Sequence, residues 1–271
     1  MKNIIVFIIK NKSFFLFILL ETISLFFVFN NNYYQKSYYI SSTNNITGYI
    51  YKISSNISGY FQLKQTNKTL ARENAKLLSL KKNSFLINNK YDSIYKQQYL
   101  YIPARIISNT TNKRNNYLML NKGRNSGIKK DMGVVCQNGV IGIVKDVSDN
   151  FSSVISILHS KLKISAAIKK NNQIGTLEWD GKNYRTGVLN YIPTHVNISV
   201  GDTIITSGYS FIFPKGIPIG KISKFKIKKG KNFYDIDIIF FTDYNKISYV
   251  YIINNILKKE QLDLQTKSQN E

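Results

Sequence analysis

An apolar stretch near the amino terminus, from Ser13 to Phe29, constrains this chain more than any other feature of the sequence. It contains no lysine, arginine, glycine or proline. A helix of this length would extend about 26 Å, which is near the short limit for a hydrocarbon core of about 30 Å. The stretch is longer than the usual core of a signal peptide, and no Ala-x-Ala-like cleavage site follows it. We therefore predict an uncleaved transmembrane helix at 13–29 rather than a cleaved signal.

The basic residues around this span predict its orientation. Lys2, Lys10 and Lys12 precede the span, and the first basic residue after it is Lys36. Because flanking basic residues stay in the cytoplasm, residues 1–12 are expected to be cytoplasmic. The bulk of the chain would then lie outside the inner membrane of a bacterium, in the periplasm.

Glu21 is the one strongly polar residue near the middle of the span. An ionised carboxylate at this depth is costly, so we expect it to face a polar group of a multi-span partner within the membrane. The alternative is that Thr22 and Ser24 continue a polar stripe that a single anchor tolerates.

The composition limits the partners and the chemistry. The formal net charge of +23 would suggest nucleic acid, but most basic residues follow the span, where no nucleic acid is expected. An AT-biased genome explains the abundance of Lys, Asn, Ile, Tyr and Phe, and the charge also suits an anionic membrane or wall polymer. The single cysteine, Cys136, cannot form an intramolecular disulfide, and two histidines are too few for a metal site. We predict no cofactor and no metal.

Hydrophobic residues between 46 and 82 recur at alternating spacings of three and four, after a polar juxtamembrane linker at 30–45. This period predicts a long coiled-coil helix. Asparagine is tolerated at a core position when it pairs with its own copy in a parallel dimer. The alternative is a lone helix that packs on its own β domain with the asparagines at a polar edge. The predicted dimerisation residues are Leu63, Asn67, Leu70, Asn74 and Leu77.

From residue 99 to 257 the pattern is that of short strands separated by glycine-rich turns. Asn138–Gly139 and Asp180–Gly181 are strong hairpin signals between alternating hydrophobic runs. At least ten such strands predict an all-β region of two small β-barrel-like domains. Their boundary is expected near residue 150, with either contiguous or non-contiguous domains. The polar residues 258–271 predict a disordered tail.

Four segments of the β region are distinctive: LNKGRNSGI at 120–128, NGVIGIV at 138–144, VGDTIITSG at 200–208 and FPKGIPIG at 213–220. Together with the anchor and the heptads, they resemble the bacterial rod-shape-determining family MreC. The resemblance runs to about residue 225 and is strongest to the Bacteroidetes form of the family. The AT-biased composition indicates a reduced-genome endosymbiont as the source.

The resemblance implies a non-enzymatic scaffold of the cell-elongation machinery at the inner membrane, dimerised by its coil and carrying two small β-barrels. It implies MreD, MreB, RodA and a class B penicillin-binding transpeptidase as partners. The motif residues predict turns where a positive φ, a close backbone approach or a fixed bend is needed. They are Gly123, Gly127, Gly139, Gly142, Gly201, Asp202, Gly208, Pro214, Gly216 and Gly220.

The segment 209–214 (YSFIFP) is the predicted contact surface for the transpeptidase, because it holds three aromatic residues in a short loop. We predict that Phe211 and Ile212 are exposed to the partner and that Phe213 is buried. The alternative is that both phenylalanines close the end of a barrel.

Two other functions share part of this pattern. An adaptor of an export pump also combines an anchor, a coil and β domains, but usually has a helical hairpin between two halves of a β domain. His159, Asp202 and Ser207 have the residue types of a hydrolase triad, although their sequence contexts are not those of a trypsin-like enzyme. We predict that the chain is not an enzyme.

Overall fold

A computed structural model describes residues 10–31, 62–87, 95–227 and 232–269 of the chain. The chain divides into two compact units, residues 1–67 and 68–271. Three α-helices are described: α1 (Lys12–Asn31), α2 (62–79) and α3 (Lys258–Gln269). The strands are β1 (Phe85–Ile87), β2 (Tyr95–Gln97), β3 (Tyr99–Asn109), β4 (Asn115–Leu120), β5 (Gly133–Cys136), β6 (Gly139–Val147), β7 (Ser152–His159), β8 (Ile164–Ile168), β9 (Ile174–Glu178), β10 (Thr186–Asn190), β11 (Thr203–Thr206), β12 (Pro218–Ile227), β13 (Tyr234–Phe240) and β14 (Tyr249–Asn255).

Helix α1 covers the apolar stretch that the sequence singles out, and Glu21 lies on it with an exposed side chain. No helix among the described residues is both long enough and apolar enough to cross a membrane. The transmembrane assignment of 13–29 and its orientation therefore stay predictions. The linker at 30–45 and the first part of the predicted coil, to residue 61, lie almost entirely outside the described residues.

Twelve strands form two closed six-stranded barrels, which confirms the predicted pair of β-barrels. The first barrel has the strand order β14-β3-β4-β7-β6-β5, and the second has the order β10-β13-β12-β11-β8-β9. Side chains alternate between the inside and the outside of a barrel along each strand. In β13 of the second barrel, Ile236, Ile238 and Phe240 are buried, and the residues between them are more exposed.

The division between the barrels differs from the predicted boundary near residue 150. Strand β7 pairs with β4 and β6, so the first barrel continues to His159. The chain then builds the whole second barrel and returns through β14, which pairs with β3 and β5. The first barrel is therefore non-contiguous, because its last strand comes from the end of the chain.

One continuous hydrophobic core joins the two barrels. The Tyr244 hydroxyl donates a hydrogen bond to the Val140 carbonyl oxygen at 3.1 Å, and its ring meets Phe240 edge to face. Gly139 at the start of β6 lies against Pro218 at the start of β12, where an added Cβ would stand 2.6 Å from the Pro218 carbonyl oxygen. The two barrels therefore share a packed interface and are not joined only by their connecting segments.

The tail is a helix, so the prediction of disorder for 258–271 is wrong over the part that the structure describes. Lys, Glu, Gln and Leu in this segment are strong helix formers. Tertiary contacts then hold its start: Lys258 Nζ donates to the Asp131 carbonyl oxygen at 2.9 Å, and Asn255 Nδ2 donates to Gln261 Oε1 at 2.9 Å. These contacts are not visible in the polar composition.

Candidate interaction site

The loop between β11 and β12, residues 209–214, is tied down by hydroxyl groups at both ends. Ser207 Oγ accepts a hydrogen bond from the Tyr209 amide at 3.1 Å. At the other end, Thr206 Oγ1 donates to the Pro214 carbonyl oxygen at 2.6 Å and accepts from the Ile217 amide at 2.9 Å. The loop therefore has a defined shape, which is what a partner-binding surface needs.

The side chains of this loop divide into buried, half-buried and exposed. Phe213 is only 3% exposed and lies against Gly133 of the first barrel, which confirms its predicted burial. Phe211 and Ile212 are half-buried, so the prediction that they are exposed is wrong. The exposed aromatic residue is Tyr209, at 79%. The difference arises because Ile212 packs against the core and the ordered tail runs beside Phe211.

A groove of about 480 Å³ lies between this loop, the loop before β5 and helix α3. Its apolar lining includes Met132, Phe211, Ile212 and Ile253, together with Leu262 of α3. The buried side chain of Asn255 joins two of these parts, since its Nδ2 donates to the Phe211 carbonyl oxygen at 3.0 Å as well as to Gln261. The sequence attributes this surface to the 209–214 loop alone. In the structure, the loop before β5 and helix α3 also form part of it.

The groove has a largely basic edge. Lys129, Lys130, Lys258 and Lys259 line it, against Asp131 and Asp263. Desolvation lowers the pKa of Lys258, and the nearby Asp131 carboxylate acts in the opposite direction. The edge of the groove would favour an acidic partner surface over a basic one.

The motif residues occupy turns and close approaches, as their residue types predict. Four glycines have a positive φ between 79° and 95°: Gly127, Gly201, Gly208 and Gly216. At four others an added Cβ would meet backbone atoms: Gly123, Gly139, Gly142 and Gly220. The Asp202 carboxylate accepts a hydrogen bond from the Ser199 amide at 2.8 Å, and Pro214 is buried. These residues shape the barrels rather than form one cluster.

Helix α2 presents two different faces. Ala71 and Ala75 are buried, and Leu78 packs against the barrel core. The predicted dimerisation residues lie elsewhere on the helix and are exposed in the single chain: Leu63, Asn67, Leu70, Asn74 and Leu77. The helix is therefore packed on its own β domain and also keeps an apolar stripe uncovered.

Asn74 lies between these two faces. At 100° per residue, the stripe of Leu70 and Leu77 is about 100° from the buried face, and Asn74 falls between them. Burial raises the pKa of Tyr251 of β14, and the nearby Asn74 side chain acts in the opposite direction. Asn74 therefore borders the β domain of its own chain.

The three residues considered for a catalytic triad have separate hydrogen-bond partners. His159 Nε2 is 3.0 Å from the Tyr117 hydroxyl, Ser207 Oγ is 2.7 Å from Ser165 Oγ, and Asp202 binds the Ser199 amide. Within the described parts of the chain, no cluster of three or more His, Cys, Asp or Glu side chains could hold a metal ion. The described geometry offers surfaces for binding and no assembled triad.

A family profile described as "Rod shape-determining protein MreC, barrel core" matches residues 106–254, which is more than half of the chain. The chain belongs to the MreC family. The MreC match covers both barrels from within β3 to within β14, including the return of the last strand. The more specific expectation of a Bacteroidetes-like, reduced-genome source stays a prediction.

Curated relatives agree with the MreC assignment. The cell shape-determining protein MreC of Listeria monocytogenes is 28% identical over 192 residues, covering 65% of this chain and 64% of that protein. The corresponding protein of Escherichia coli is 24% identical over 182 residues, covering 65% and 49%. The chain thus matches less than two thirds of the length of these relatives. The pump-adaptor interpretation finds no support in them.

Solved structures of MreC share the fold. The MreC structure from Listeria monocytogenes has a TM-score of 0.54 at 23% identity, covering 79% of this chain and 96% of that one. The crystal structure from Pseudomonas aeruginosa has a TM-score of 0.52 at 21% identity, covering 56% and 97%. At this identity the likeness concerns the fold.

Proposed function

We propose that this chain is a non-enzymatic, membrane-anchored scaffold of the cell-elongation machinery, which organises peptidoglycan synthesis and so maintains cell shape. The observation that carries the proposal is the MreC barrel-core match over 106–254, together with the two closed barrels that contain it. The curated relatives are cell shape-determining proteins. A scaffold needs shaped surfaces rather than reactive groups, and the groove and the α2 stripe are such surfaces.

The scaffold is proposed to be a parallel homodimer held by α2. Leu63, Leu70 and Leu77 recur every seven residues and are 61%, 48% and 62% exposed. A leucine at the same position of each heptad, uncovered in the single chain, is what a coiled-coil seam requires. Burial of Ala71 and Ala75 on the barrel supports this arrangement, because it leaves the seam facing away from the chain's own core.

The loop 209–214, together with the groove that Phe211 and Ile212 line, is the proposed contact for a class B penicillin-binding transpeptidase. Tyr209 supplies an exposed aromatic side chain, and Phe211 and Ile212 supply partly covered apolar surface. Aromatic anchors beside a pocket are typical of binding hot spots. MreD is the proposed contact of Glu21 in the membrane, while MreB and RodA are further partners that the family resemblance implies.

The function is tested by depletion of the protein in its own cell. We expect depleted cells to lose their shape and to incorporate fluorescent D-amino acids diffusely, with recovery when the full chain is supplied. A cell of unchanged shape with an unchanged incorporation pattern would contradict the scaffold role.

The transpeptidase contact is tested separately by co-purification from membranes. Tyr209→Ala is expected to weaken capture by about fivefold or more, as for a hot-spot residue worth above about 1 kcal/mol. Phe151→Ala is the matched control, because Phe151 is an exposed aromatic residue (47%) on the β6–β7 turn and is not part of the 209–214 loop. Equal capture by both variants would exclude the 209–214 loop as the contact.

A further inference from the structure

The carboxyl end of helix α2 is held by side chains that lie outside the helix. The last carbonyl groups of an α-helix have no partner within it, so other groups must satisfy them. Ser84, which is fully buried in the short turn after α2, donates from Oγ to the Leu78 carbonyl oxygen at 2.8 Å. Gln97 of β2 donates from Nε2 to the Ser79 carbonyl oxygen at 2.9 Å. These two side chains therefore cap the helix.

The groups that cap α2 also bind the first strand of the first barrel. Gln97 Nε2 is 2.6 Å from the Tyr99 carbonyl oxygen, at the start of β3. Ser79 Oγ accepts a hydrogen bond from the Tyr101 amide at 3.1 Å. Satisfied networks of polar side chains make the surrounding structure rigid. The end of α2 is thus fixed to β3 by several bonds and cannot pivot about one of them.

A series of hydrogen bonds continues from this junction to the groove. The Ser84 carbonyl oxygen accepts from the Gln98 amide at 2.9 Å, and the Gln98 carbonyl oxygen accepts from the Ile256 amide at 2.9 Å. Ile256 lines the groove. It follows Asn255, whose side chain donates to the Phe211 carbonyl oxygen at 3.0 Å. The end of α2 is therefore connected to the groove through the backbone of the first barrel.

A second connection runs directly to the β11–β12 loop. Asn83, in the turn after α2, donates from Nδ2 to the Lys215 carbonyl oxygen at 3.1 Å, across 132 residues of sequence. Lys215 follows Pro214, whose carbonyl oxygen accepts a hydrogen bond from Thr206. The loop at 209–214 is consequently held to the end of α2 as well as to its own barrel.

The junction has a consequence for a dimer, because the leucine stripe of α2 is separate from the face that packs on the barrel. Leu70 and Leu77 are 48% and 62% exposed, whereas Ala71 and Ala75 are buried. Two copies that pair through this stripe would be related by a twofold axis, so each would carry its β domain in the same way. With a rigid junction, the distance between the two 209–214 loops is then a fixed property of the dimer.

We propose that this junction makes the homodimer a spacer, which holds two transpeptidase molecules at one fixed separation. The inference rests on the proposed dimer and on the proposed transpeptidase contact. It adds a stoichiometry of two transpeptidases to one dimer and a defined geometry between them, in place of two loops that move independently.

The separation is measured by pulsed dipolar electron paramagnetic resonance on the full chain in detergent micelles. Cys136→Ser removes the only cysteine, and Lys215→Cys then carries one spin label in each copy. Arg72→Cys provides the reference for the coil, because Arg72 is exposed and about 160° from Leu70 around the helix. We expect a single distribution of distances at 215 that is as narrow as the one at 72.

Junction variants test the cause of the narrow distribution. Gln97→Ala removes the bonds to Ser79 and Tyr99, and Asn83→Ala removes the bond to Lys215. Each should broaden the distance distribution at 215 and leave the distribution at 72 unchanged. Asn83 is exposed, so its variant decides the question if Gln97→Ala lowers the melting temperature.

Asn171→Ala is the matched control for Asn83→Ala. Asn171 is also exposed and donates from Nδ2 to a distant carbonyl oxygen, that of Asn197 at 3.3 Å, but it lies within the second barrel. This variant should leave both distance distributions unchanged. Broadening at 215 by Asn171→Ala equal to that by Asn83→Ala would overturn the assignment to the junction.

The outcomes separate the spacer from the proposed function. A broad distribution at 215 beside a narrow one at 72 would overturn the spacer and leave the dimer intact, while no measurable distance at either position would contradict the dimer itself. Light scattering of the complex co-purified with the transpeptidase should give two transpeptidases to one dimer. One transpeptidase to a dimer would overturn the spacer, and no co-purified transpeptidase would contradict the contact.

Discussion

Gly142 lies on β6 where the backbone of β7 passes so close that an added Cβ would overlap the Ile155 carbonyl oxygen. The obstacle is backbone within a closed barrel, so it cannot move aside as a flexible side chain would. Gly127, in contrast, has φ of 79° and no atom within 4 Å of an added Cβ, so its constraint is conformational alone.

We therefore expect Gly142→Ala to cost more than Gly127→Ala. Overpacking costs about 1–3 kcal/mol and more where the backbone must shift, while a left-handed alanine costs about 1–2 kcal/mol. Thermal unfolding of both variants measures the difference. Equal melting temperatures would show that β6 and β7 can separate without loss of packing.

His159 is a second position where a single group controls stability. Its Nδ1 accepts a hydrogen bond from the Lys161 amide at 3.1 Å, which leaves the proton on Nε2, facing the Tyr117 hydroxyl. Burial lowers the pKa of His159, and the positive charges of Lys145 and Lys161 lower it further. Protonation would remove the acceptor at Nδ1 and place a charge in a buried site.

The pH dependence follows from the direction of this shift. Because the native pKa lies below the ordinary value of about 6.5, the unfolded chain takes up the proton first as pH falls. The stabilisation from neutral His159 is therefore complete above about pH 6.5 and is lost as pH falls towards the native pKa. Melting temperatures between pH 7.5 and 5 should show this loss, and His159→Gln should have a flatter profile. Parallel profiles for the two proteins would contradict the assignment.

Helix α2 has one face packed on the barrel and a separate leucine stripe that is exposed, and the exposed stripe predicts a dimer. The seam of Leu63, Leu70 and Leu77 is separate from the alanine face that packs on the barrel. Asn67 and Asn74 are both exposed in the single chain, and Asn74 lies near Tyr251 of β14.

A parallel dimer places each Leu70 beside its copy, so Leu70→Cys in a Cys136→Ser background should form a disulfide-linked dimer on mild oxidation. Cβ atoms at equivalent seam positions are close enough for this bond, while those on the outer face are not. Lys76→Cys is the control, because Lys76 is exposed and about 120° away from Leu70 around the helix. Equal cross-linking at both positions, or none at 70, would exclude the proposed seam.

At the scale of the whole molecule, the continuous core makes the stability of each barrel depend on the other. Phe213 comes from a loop of the second barrel yet lies against Gly133 of the first. Phe211, two residues earlier, is only half-buried and borders the groove.

Phe213→Ala should therefore lower the free energy of unfolding by about 3–5 kcal/mol, as for other buried phenylalanines, and Phe211→Ala by clearly less. A single calorimetric transition is expected for residues of both barrels, because neither core is complete alone. Two separate transitions, or a larger loss at Phe211, would contradict this account of the junction.

Local patterns in the sequence were sufficient for much of this architecture. Alternating hydrophobic residues and the Asn138–Gly139 turn predict β strands and a hairpin, because the side-chain period and a left-handed turn are properties of a few neighbouring residues. Heptad spacing over 46–82 predicts a helix in the same way, and the structure describes a helix at 62–79. The four motif segments, with the anchor and the heptads, indicated the family.

Contacts between distant parts of the chain decided the rest. Strand β14 is buried over most of its length, so it lacks the alternation that identifies a half-exposed strand, and only its pairing with β3 and β5 places it in the first barrel. The start of helix α3 is held by hydrogen bonds to Asp131, which is distant in the sequence, and to Asn255, which precedes the helix. The helical pattern of α3 itself indicates neither contact. The burial of Phe213 and the partial cover of Phe211 follow from barrel closure, which brings together residues that no local pattern connects.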